Sequence, residues 1–178
     1  MPDRGIEKIL ITEHEIACTV RRLGDEITRS YAEIDQELVV VGLLRGSFVF
    51  MADLIRVIRL PLVVDFISVS TYGDATVSSG SLSMTKDLEQ PIEDRDVLLV
   101  EDIVDTGHTF SKVLELLRTR RPRSLKVCTF LDKPSRRTCE VAIDFRGIVI
   151  PNEFVCGYGL DYAQRYRNLP YVGVLKTG

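Results

Sequence analysis

The sequence has few of the features that mark exported, membrane-spanning or metal-cluster proteins. Its 178 residues include only two histidines and four cysteines, which are Cys18, Cys128, Cys139 and Cys156. The cysteines form no C-x-x-C pair and lie in or beside apolar runs. This predicts reduced, mostly buried thiols rather than a disulfide framework or a structural zinc site. No apolar run exceeds about eight residues, whereas a membrane-spanning helix needs ~20, and the N-terminus lacks a signal-peptide core, so we predict a soluble, unexported, cytoplasmic protein.

The chain also lacks an excess of positive charge. It has 23 lysines and arginines against 26 aspartates and glutamates, a net charge of −3. No global positive field attracts nucleic acid, so an anionic partner requires a focused site. The one dense basic cluster, formed by Arg118, Arg120, Arg121 and Arg123, falls at the C-terminus of a predicted helix, where cations complement the helix dipole. We interpret it as a solvated face, with contact to nucleic acid or to another subunit as the alternative.

Two common nucleotide-binding motifs are missing. Gly157-Tyr158-Gly159 lacks the third glycine of a dinucleotide fingerprint, because position 162 is Tyr162, and no G-x-x-x-x-G-K-[ST] occurs. The overall composition, 45% hydrophobic and 28% charged, is that of an ordinary globular protein. At this length we predict a single domain spanning residues 1–178.

Hydrophobic periodicity and turn residues predict an alternation of strands and helices. Thr12 and Glu15 form a capping-box pattern before an amphipathic helix, residues 13–31. The further predicted elements are strand 38–44, helix 48–58, strand 62–69, a long loop over 70–83, strand 97–103, helix 109–120, strand 125–131, and short segments at 147–150, 154–158 and 171–175. This order predicts an α/β fold with an open, mostly parallel sheet flanked by helices and buried on both faces. Ligands should bind at the C-terminal ends of the strands, under a cap from the last segments.

The most informative segment is residues 97–109, V-L-L-V-E-D-I-V-D-T-G-H-T. Glu101 and Asp102 at the end of a buried strand lose solvation, which costs several kcal/mol per ion unless a metal or a polyhydroxyl ligand offsets it. The turn over 105–109 places backbone N–H groups and hydroxyls at a helix N-terminus, which favours a phosphate. The plainer interpretation is that Asp105 or Thr106 is only an N-cap and that the two acids bind nearby backbone.

Residues 97–109 resemble the phosphoribosyl pyrophosphate signature of the type I phosphoribosyltransferases. Other segments resemble the 6-oxopurine, or hypoxanthine-guanine, branch of that family, over about residues 9–175. Arg45 stands where many members have lysine, and Thr71 where serine is common. The segments are the pyrophosphate loop Leu44-Arg45-Gly46-Ser47, the flexible loop Thr71-Tyr72-Gly73, the base-recognition segment Leu131-Asp132-Lys133-Pro134 and the C-terminal signature at 151–162.

The resemblance implies a fold with a small hood, contributed mainly by about residues 145–178 and the N-terminal segment. It implies transfer of the 5-phosphoribosyl group from phosphoribosyl pyrophosphate to hypoxanthine, and to guanine, with Mg²⁺ as cofactor and pyrophosphate as product. It also implies a homodimer or homotetramer. Two alternatives stay open: a nucleic-acid-binding regulator on the same fold, and a transferase for another base.

The resemblance also implies a role for each matching residue. Asp105 would be the catalytic residue that accepts or guides the purine N7 proton, and the His108 side chain receives no chemistry of its own. The phosphoribosyl contacts would be Glu101, Asp102, Thr106, Gly107, His108 and Thr109, and the pyrophosphate contacts Leu44, Arg45, Gly46 and Arg167. The flexible-loop residues would be Thr71 and Tyr72, the base contacts Lys133, Phe154 and Val155, and the magnesium ligands Glu101, Asp102 and Asp161.

Overall fold

The computed structural model describes residues 5–71 and 82–176. Within that part of the chain it has two sheets and three α-helices. The elements are β1 Ile6–Ile11, α1 Glu13–Ser30, β2 Leu38–Leu44, α2 Phe48–Ile55, β3 Leu62–Thr71, β4 Leu82–Lys86, β5 Asp96–Val104, α3 His108–Thr119, β6 Ser124–Asp132, β7 Phe145–Val149, β8 Val155–Cys156 and β9 Val172–Leu175, with a short 3₁₀ turn at Pro134–Arg136.

The main sheet has six strands in the order β4-β3-β2-β5-β6-β7. Every neighbouring pair is parallel except β3 and β4. This confirms the predicted α/β fold with a mostly parallel sheet. The C-terminal ends of β2, β5 and β6 lie at the same edge of the sheet, so the loops that follow these three strands lie close together there.

Successive residues of the central strands face opposite sides of the sheet and enter two separate cores. In β2, Val40 packs in the core that α1 and α2 cover, whereas Val39 and Val41 pack in the core that α3 covers. In β5, Leu98 and Leu99 divide in the same way. The central strands are therefore continuous apolar runs, and they hold the C-terminal edge of the sheet in a fixed position.

The first helix begins at the predicted capping box. The Glu15 backbone N–H donates to Thr12 Oγ1 at 3.3 Å, and the Glu15 carboxylate accepts from the Thr12 backbone N–H at 2.8 Å. Ile16, Val20 and Leu23 are buried along one face of the helix. The second helix is shorter than predicted, because it ends at Ile55, and a turn carries the chain onward to the buried Ile58.

The smaller sheet combines both ends of the chain, in the order β1-β9-β8. Its strands are antiparallel. No strand was predicted at β1, because only one of its six residues is buried and its hydrophobic pattern is therefore weak. The segment at 145–149, predicted to belong to the hood, instead pairs with β6 as an edge strand of the main sheet.

The predicted loop over 70–83 is partly strand. β3 extends to position 71, and its last residue pairs with the first residue of β4, at position 82. The pairing is antiparallel, so the chain folds back on itself at the edge of the main sheet. Tyr72 and Gly73 of the predicted flexible loop lie outside the described residues.

No cysteine forms a disulfide within the described part of the chain. Cys128 and Cys156 are buried, but Cys18 is exposed and Cys139 is half-buried, so the prediction of mostly buried thiols was wrong for two of the four. Cys18 lies two positions from both Ile16 and Val20 on α1, and this spacing places it on the side of the helix opposite its buried face. Over residues 5–71 and 82–176 no helix is both long and apolar enough to span a membrane.

Candidate active site

Two cavities open at the C-terminal edge of the main sheet, and they share two lining residues. The first, about 270 Å³, is lined by the ends of β2 and β5 and by the turn into α3. The second, about 430 Å³, is lined by the end of β5, by Lys133 and by residues 152–155 and 160–161. Asp105 and Ile103 line both. A ligand bound across both cavities would therefore have its junction beside the Asp105 carboxylate.

The two adjacent acids at the end of β5 are desolvated, as predicted. Asp102 is only 7% exposed. Because neighbouring strand residues point to opposite faces, Glu101 lines the first cavity and Asp102 the second. Each binds nearby backbone: Glu101 Oε1 accepts from the Asp102 N–H at 3.1 Å, and Asp102 Oδ1 accepts from the Ile103 N–H at 2.8 Å. Burial raises the pKa of Glu101 well above its usual range, and the hydrogen bond and charge of Asp102 raise it further.

The phosphate turn, residues 105–109, leads directly from β5 into α3. Gly107 is the N-cap residue and has φ of 89°, a left-handed conformation that favours glycine. Neither Asp105 nor Thr106 caps the helix, so the plainer interpretation of these two residues was wrong. Asp105 Oδ1 is buried and has no hydrogen-bond partner among the described residues, although Arg136 Nε lies 3.4 Å away. Thr106, Gly107 and Thr109 line the first cavity, but His108 is exposed and its Nε2 lies 2.9 Å from Thr138 Oγ1.

The pyrophosphate loop, residues 44–47, lies directly against the acids of β5. Ser47 is fully buried, and its hydroxyl donates to the carbonyl of Leu43 at 2.7 Å, which fixes the turn between β2 and α2. The peptide bond between Leu44 and Arg45 is cis. A Cβ at Gly46 would collide with Asp102 Oδ2, so only glycine allows this close approach. Leu44 and Gly46 line the first cavity, as predicted for pyrophosphate contacts, whereas Arg45 lines neither.

Lys133 follows β6 and is only 5% exposed. Its ammonium donates to the carbonyl of Glu153 at 2.9 Å, which leaves two further protons for a ligand in the second cavity. Burial lowers the pKa of Lys133, although the charge of Asp105 acts in the opposite direction. The side chain is thus held beside the second cavity as a directed donor.

Phe154 and Val155 line the same cavity, as the predicted base contacts should. Phe154 is 52% exposed, and its ring packs edge-on against Tyr162 with centroids 5.6 Å apart. An exposed aromatic ring beside a cavity offers a face on which a flat heterocycle can stack. Val155 is buried in β8, so its backbone position is set by the small sheet.

Asp161 and Arg167 are paired with each other. Their side chains form an ion pair of 2.7 Å, and Arg167 also donates to the carbonyl of Gly159 at 2.6 Å. Asp161 lines the second cavity, but Arg167 lines a third one, between α1, α2 and residues 167–170. Arg167 lines neither cavity at the sheet edge, so its contact with pyrophosphate stays a prediction.

The three predicted magnesium ligands, Glu101, Asp102 and Asp161, do not converge. Among residues 5–71 and 82–176, no three acidic, histidine or cysteine side chains lie close enough to form a metal-binding group. Magnesium differs from zinc in that it is often held by one or two carboxylates together with water and substrate phosphates. The adjacent pair Glu101 and Asp102, with no group of three such side chains among the described residues, fits that pattern. Of the flexible loop, only the backbone of Thr71 is described, as the last residue of β3.

A family model for the phosphoribosyl transferase domain matches residues 10–163. The chain belongs to the phosphoribosyltransferase family. The hypoxanthine phosphoribosyltransferase of Salmonella typhimurium is 52% identical to it over 166 residues, 93% of either chain. The hypoxanthine-guanine phosphoribosyltransferase of Bacillus subtilis is 51% identical over 176 residues, 99% of this chain and 97% of the relative. A solved hypoxanthine phosphoribosyltransferase from Staphylococcus aureus has a TM-score of 0.91 at 45% identity, with 97% of this chain and 92% of that one covered.

These likenesses confirm the resemblance to the hypoxanthine-guanine phosphoribosyltransferases. The structure also adds residues to the site of this phosphoribosyltransferase that the sequence did not predict. Arg136 and Asn152 line the second cavity, Glu153 holds Lys133 through its carbonyl, and Tyr162 packs on Phe154. Each of them lies within a few residues of a predicted site residue, but only the folded chain shows that Arg136, Asn152 and Glu153 line the cavity and that Tyr162 contacts Phe154.

Proposed function

We propose that the protein salvages purines by transferring the 5-phosphoribosyl group of phosphoribosyl pyrophosphate to hypoxanthine, and to guanine, with release of pyrophosphate. The observation that carries the proposal is the position of Asp105, whose side chain lines both cavities. The sugar phosphate would occupy the first cavity and the purine the second. The new glycosidic bond would then form where the two cavities meet.

Positioning supplies most of the catalysis in this proposal. Cleavage of the anomeric bond places positive charge on the ribose ring, and the protein must hold sugar, base and leaving group in line while excluding water. The carboxylates of Glu101 and Asp102 would hold the ribose hydroxyls. Thr106, Gly107, His108 and Thr109 would bind the 5-phosphate through backbone N–H groups at the start of α3. Leu44, Arg45, Gly46 and Arg167 would contact the pyrophosphate.

Three side chains would orient the base: Lys133 as hydrogen-bond donor, Phe154 as stacking ring and Asp105 as acceptor. The Lys133 ammonium would donate to the 6-oxo group, which favours oxopurines over aminopurines. Phe154 would stack on the purine and the Val155 backbone would meet its edge. The Asp105 carboxylate, whose buried Oδ1 accepts no hydrogen bond within the described chain and lies 3.4 Å from Arg136 Nε, would accept or guide the N7 proton.

We propose Mg²⁺ as the cofactor. Glu101, Asp102 and Asp161 supply hard oxygen ligands around the cavities, and the lack of a group of three such side chains among the described residues suits an ion that binds partly through substrate oxygens. When bound, the ion would neutralise charge on the leaving pyrophosphate.

The alternative of a nucleic-acid-binding regulator loses its only support in the folded chain. Three members of the basic cluster are paired with acids: Arg120 with Asp87 at 2.7 Å, Arg121 with Glu93 at 2.6 Å, and Arg123 with Asp35 at 2.7 Å. Paired arginines present little net positive charge to a phosphate backbone. The cluster thus favours the interpretation as a solvated face.

Two further proposals concern the state of the protein in the cell. Four cysteines that form no disulfide within the described residues are typical of a reducing compartment, which supports a cytoplasmic location. A homodimer or homotetramer remains the expected assembly. Light scattering across micromolar concentrations tests it, since a mass of one chain with full activity would contradict it.

A substrate panel tests the proposed function. Adenine, hypoxanthine, guanine, xanthine, uracil and orotate are each supplied with phosphoribosyl pyrophosphate and Mg²⁺, and nucleotide formation is followed. We expect rapid product with hypoxanthine and guanine and little with adenine, uracil or orotate. Salt-dependent RNA binding without turnover on any base would support the regulator instead.

A further inference from the structure

The carbonyl side of the phosphate turn is bound by the chain that follows Lys133. Arg137 donates from Nε to the carbonyl of Asp105 at 3.0 Å and from Nη2 to the carbonyl of Val104 at 3.0 Å. One planar guanidinium therefore bridges two consecutive carbonyls at the point where β5 leaves the sheet. Such a fork fixes direction as well as distance, which a single ammonium cannot do.

The two residues after Arg137 bind the next carbonyl of the turn. The backbone N–H groups of Thr138 and Cys139 both donate to the carbonyl of Thr106 at 3.1 Å. A Cβ at Gly107 would lie 2.6 Å from the carbonyl oxygen of Cys139 and 3.1 Å from Val141 Cγ2, so this chain packs directly against Gly107. We call residues 137–141 the brace.

The Arg137 guanidinium is itself anchored. It forms an ion pair with Asp132, which is only 1% exposed and is the last residue of β6. The other oxygen of Asp132 pairs with Arg146 of β7 at 3.0 Å. A carboxylate so deeply buried is held in one position, so Arg137 is tied to the rigid main sheet and not to a loop.

Binding these carbonyls determines where the N–H groups point. In a trans peptide the C=O of one residue and the N–H of the next lie in one plane and point in opposite directions. Residues 104–107 line the first cavity, whereas none of the brace residues 137–141 does, so the carbonyls that bind the brace point from the lining toward chain outside it. The N–H group that follows each of these carbonyls therefore points away from the brace.

We propose that the brace aims the backbone N–H groups of the phosphate turn at the 5-phosphate, with Arg137 as a positioning residue. The proposal rests on the proposed function, because it takes the sugar phosphate as the occupant of the turn. It assigns a task to Arg137 that involves no contact with either substrate.

The main test is the Arg137→Gln variant, assayed by kinetics and by hydrogen exchange. We expect the KM for phosphoribosyl pyrophosphate to rise by about tenfold or more, because two charge-assisted bonds to the turn are lost, while the KM for hypoxanthine changes by less than about twofold. Exchange of the backbone amides over 105–109 should accelerate by about tenfold in the substrate-free protein. A merely structural role would not confine the change to one substrate and one turn.

Two matched variants define what Arg137 supplies. Arg137→Lys keeps a cation beside Asp132 but cannot bridge two carbonyls, so we expect it to retain most of the defect. Arg146→Gln removes the arginine that pairs with the other oxygen of Asp132 and leaves the contacts of Arg137 with the turn in place. Its kcat and both KM values should stay within about twofold of those of the parent. If Arg137→Gln does not fold, Arg137→Lys carries the test, since it preserves the buried ion pair.

Three results would overturn the proposal. They are a parental KM for phosphoribosyl pyrophosphate in Arg137→Lys, a rise of that KM in Arg146→Gln equal to the rise in Arg137→Gln, or unchanged amide exchange over 105–109 in Arg137→Gln. Calorimetry with ribose 5-phosphate separates this proposal from the proposed function, because it requires no turnover. A parent protein that binds ribose 5-phosphate in an Arg137-dependent manner but makes no nucleotide would contradict the function and support the brace. If the parent makes nucleotide but Arg137→Gln leaves the affinity for ribose 5-phosphate unchanged, the proposed function is supported and the brace is contradicted.

Discussion

The two cavities that meet at Asp105 are lined by different kinds of chain. The first is lined mainly by one continuous strand, turn and helix within residues 101–110, and the ligand-binding groups that we propose there are backbone N–H groups and side chains of this one segment. The second is assembled from the end of β5, the chain after β6 and the C-terminal segment, and its contacts are long side chains such as Lys133 and Phe154. The phosphoribosyl side is therefore a property of local backbone geometry. The base side depends on how distant segments dock, and it should tolerate substitution in a different way.

The largest effect should come from the residue that the two sides share. Asp105→Asn should lower kcat by about a hundredfold or more, because a general base contributes 10²–10⁴, while the affinity for ribose 5-phosphate stays close to that of the parent. Steady-state kinetics and calorimetry measure the two quantities. The isosteric change keeps the shape of the turn, so an unchanged kcat would remove Asp105 from the mechanism.

On the phosphoribosyl side, the smallest possible side-chain addition should be harmful. Gly46→Ala places a methyl group against Asp102 Oδ2, so either the pyrophosphate loop or the acid must move. A displacement of this size at a site of aligned reactants costs up to about a hundredfold, and we expect the loss in kcat/KM for phosphoribosyl pyrophosphate. The control is Ala52→Gly, which also changes one methyl group but at an exposed position on α2. Equal kinetics in Gly46→Ala and the parent would contradict the close packing.

On the base side, the removal of a long side chain should change selectivity without a large effect on sugar binding. Lys133→Ala removes a charge-assisted hydrogen bond worth about 1.5–3 kcal/mol, so kcat/KM for hypoxanthine should fall by about tenfold to a hundredfold. Its KM for phosphoribosyl pyrophosphate should hardly change. If the variant uses hypoxanthine as well as the parent does, the base is bound elsewhere and the division between the two sides fails.

The same division explains what the sequence could predict. Buried acids, a glycine turn and a helix start within residues 97–109 identify a phosphate site by local physics alone, and the main strands follow from their apolar runs. On the base side no local pattern distinguishes Lys133 from a surface lysine or Phe154 from a core residue, so only the family resemblance marked them. The pairing of Arg167 with Asp161 and the bridging of Val104 and Asp105 by Arg137 depend on tertiary docking. Neither leaves a periodic trace in the sequence.

The smallest effect should appear in stability, and its sign should oppose the effect on binding. Glu101 is desolvated beside Asp102, which raises its pKa, so keeping it ionised at neutral pH costs folding free energy. Glu101→Gln removes that cost, and we expect the free energy of unfolding of the substrate-free protein to rise by about 1–2 kcal/mol in urea denaturation. Affinity for phosphoribosyl pyrophosphate should fall in the same variant, because a ribose contact is weakened. Glu115→Gln, at an exposed position on α3, controls for loss of charge and should change neither quantity. A Glu101→Gln protein that is less stable than its parent would mean that the acid supports the fold. The proposed phosphoribosyl side would then not be a region where substrate binding is gained at the expense of stability.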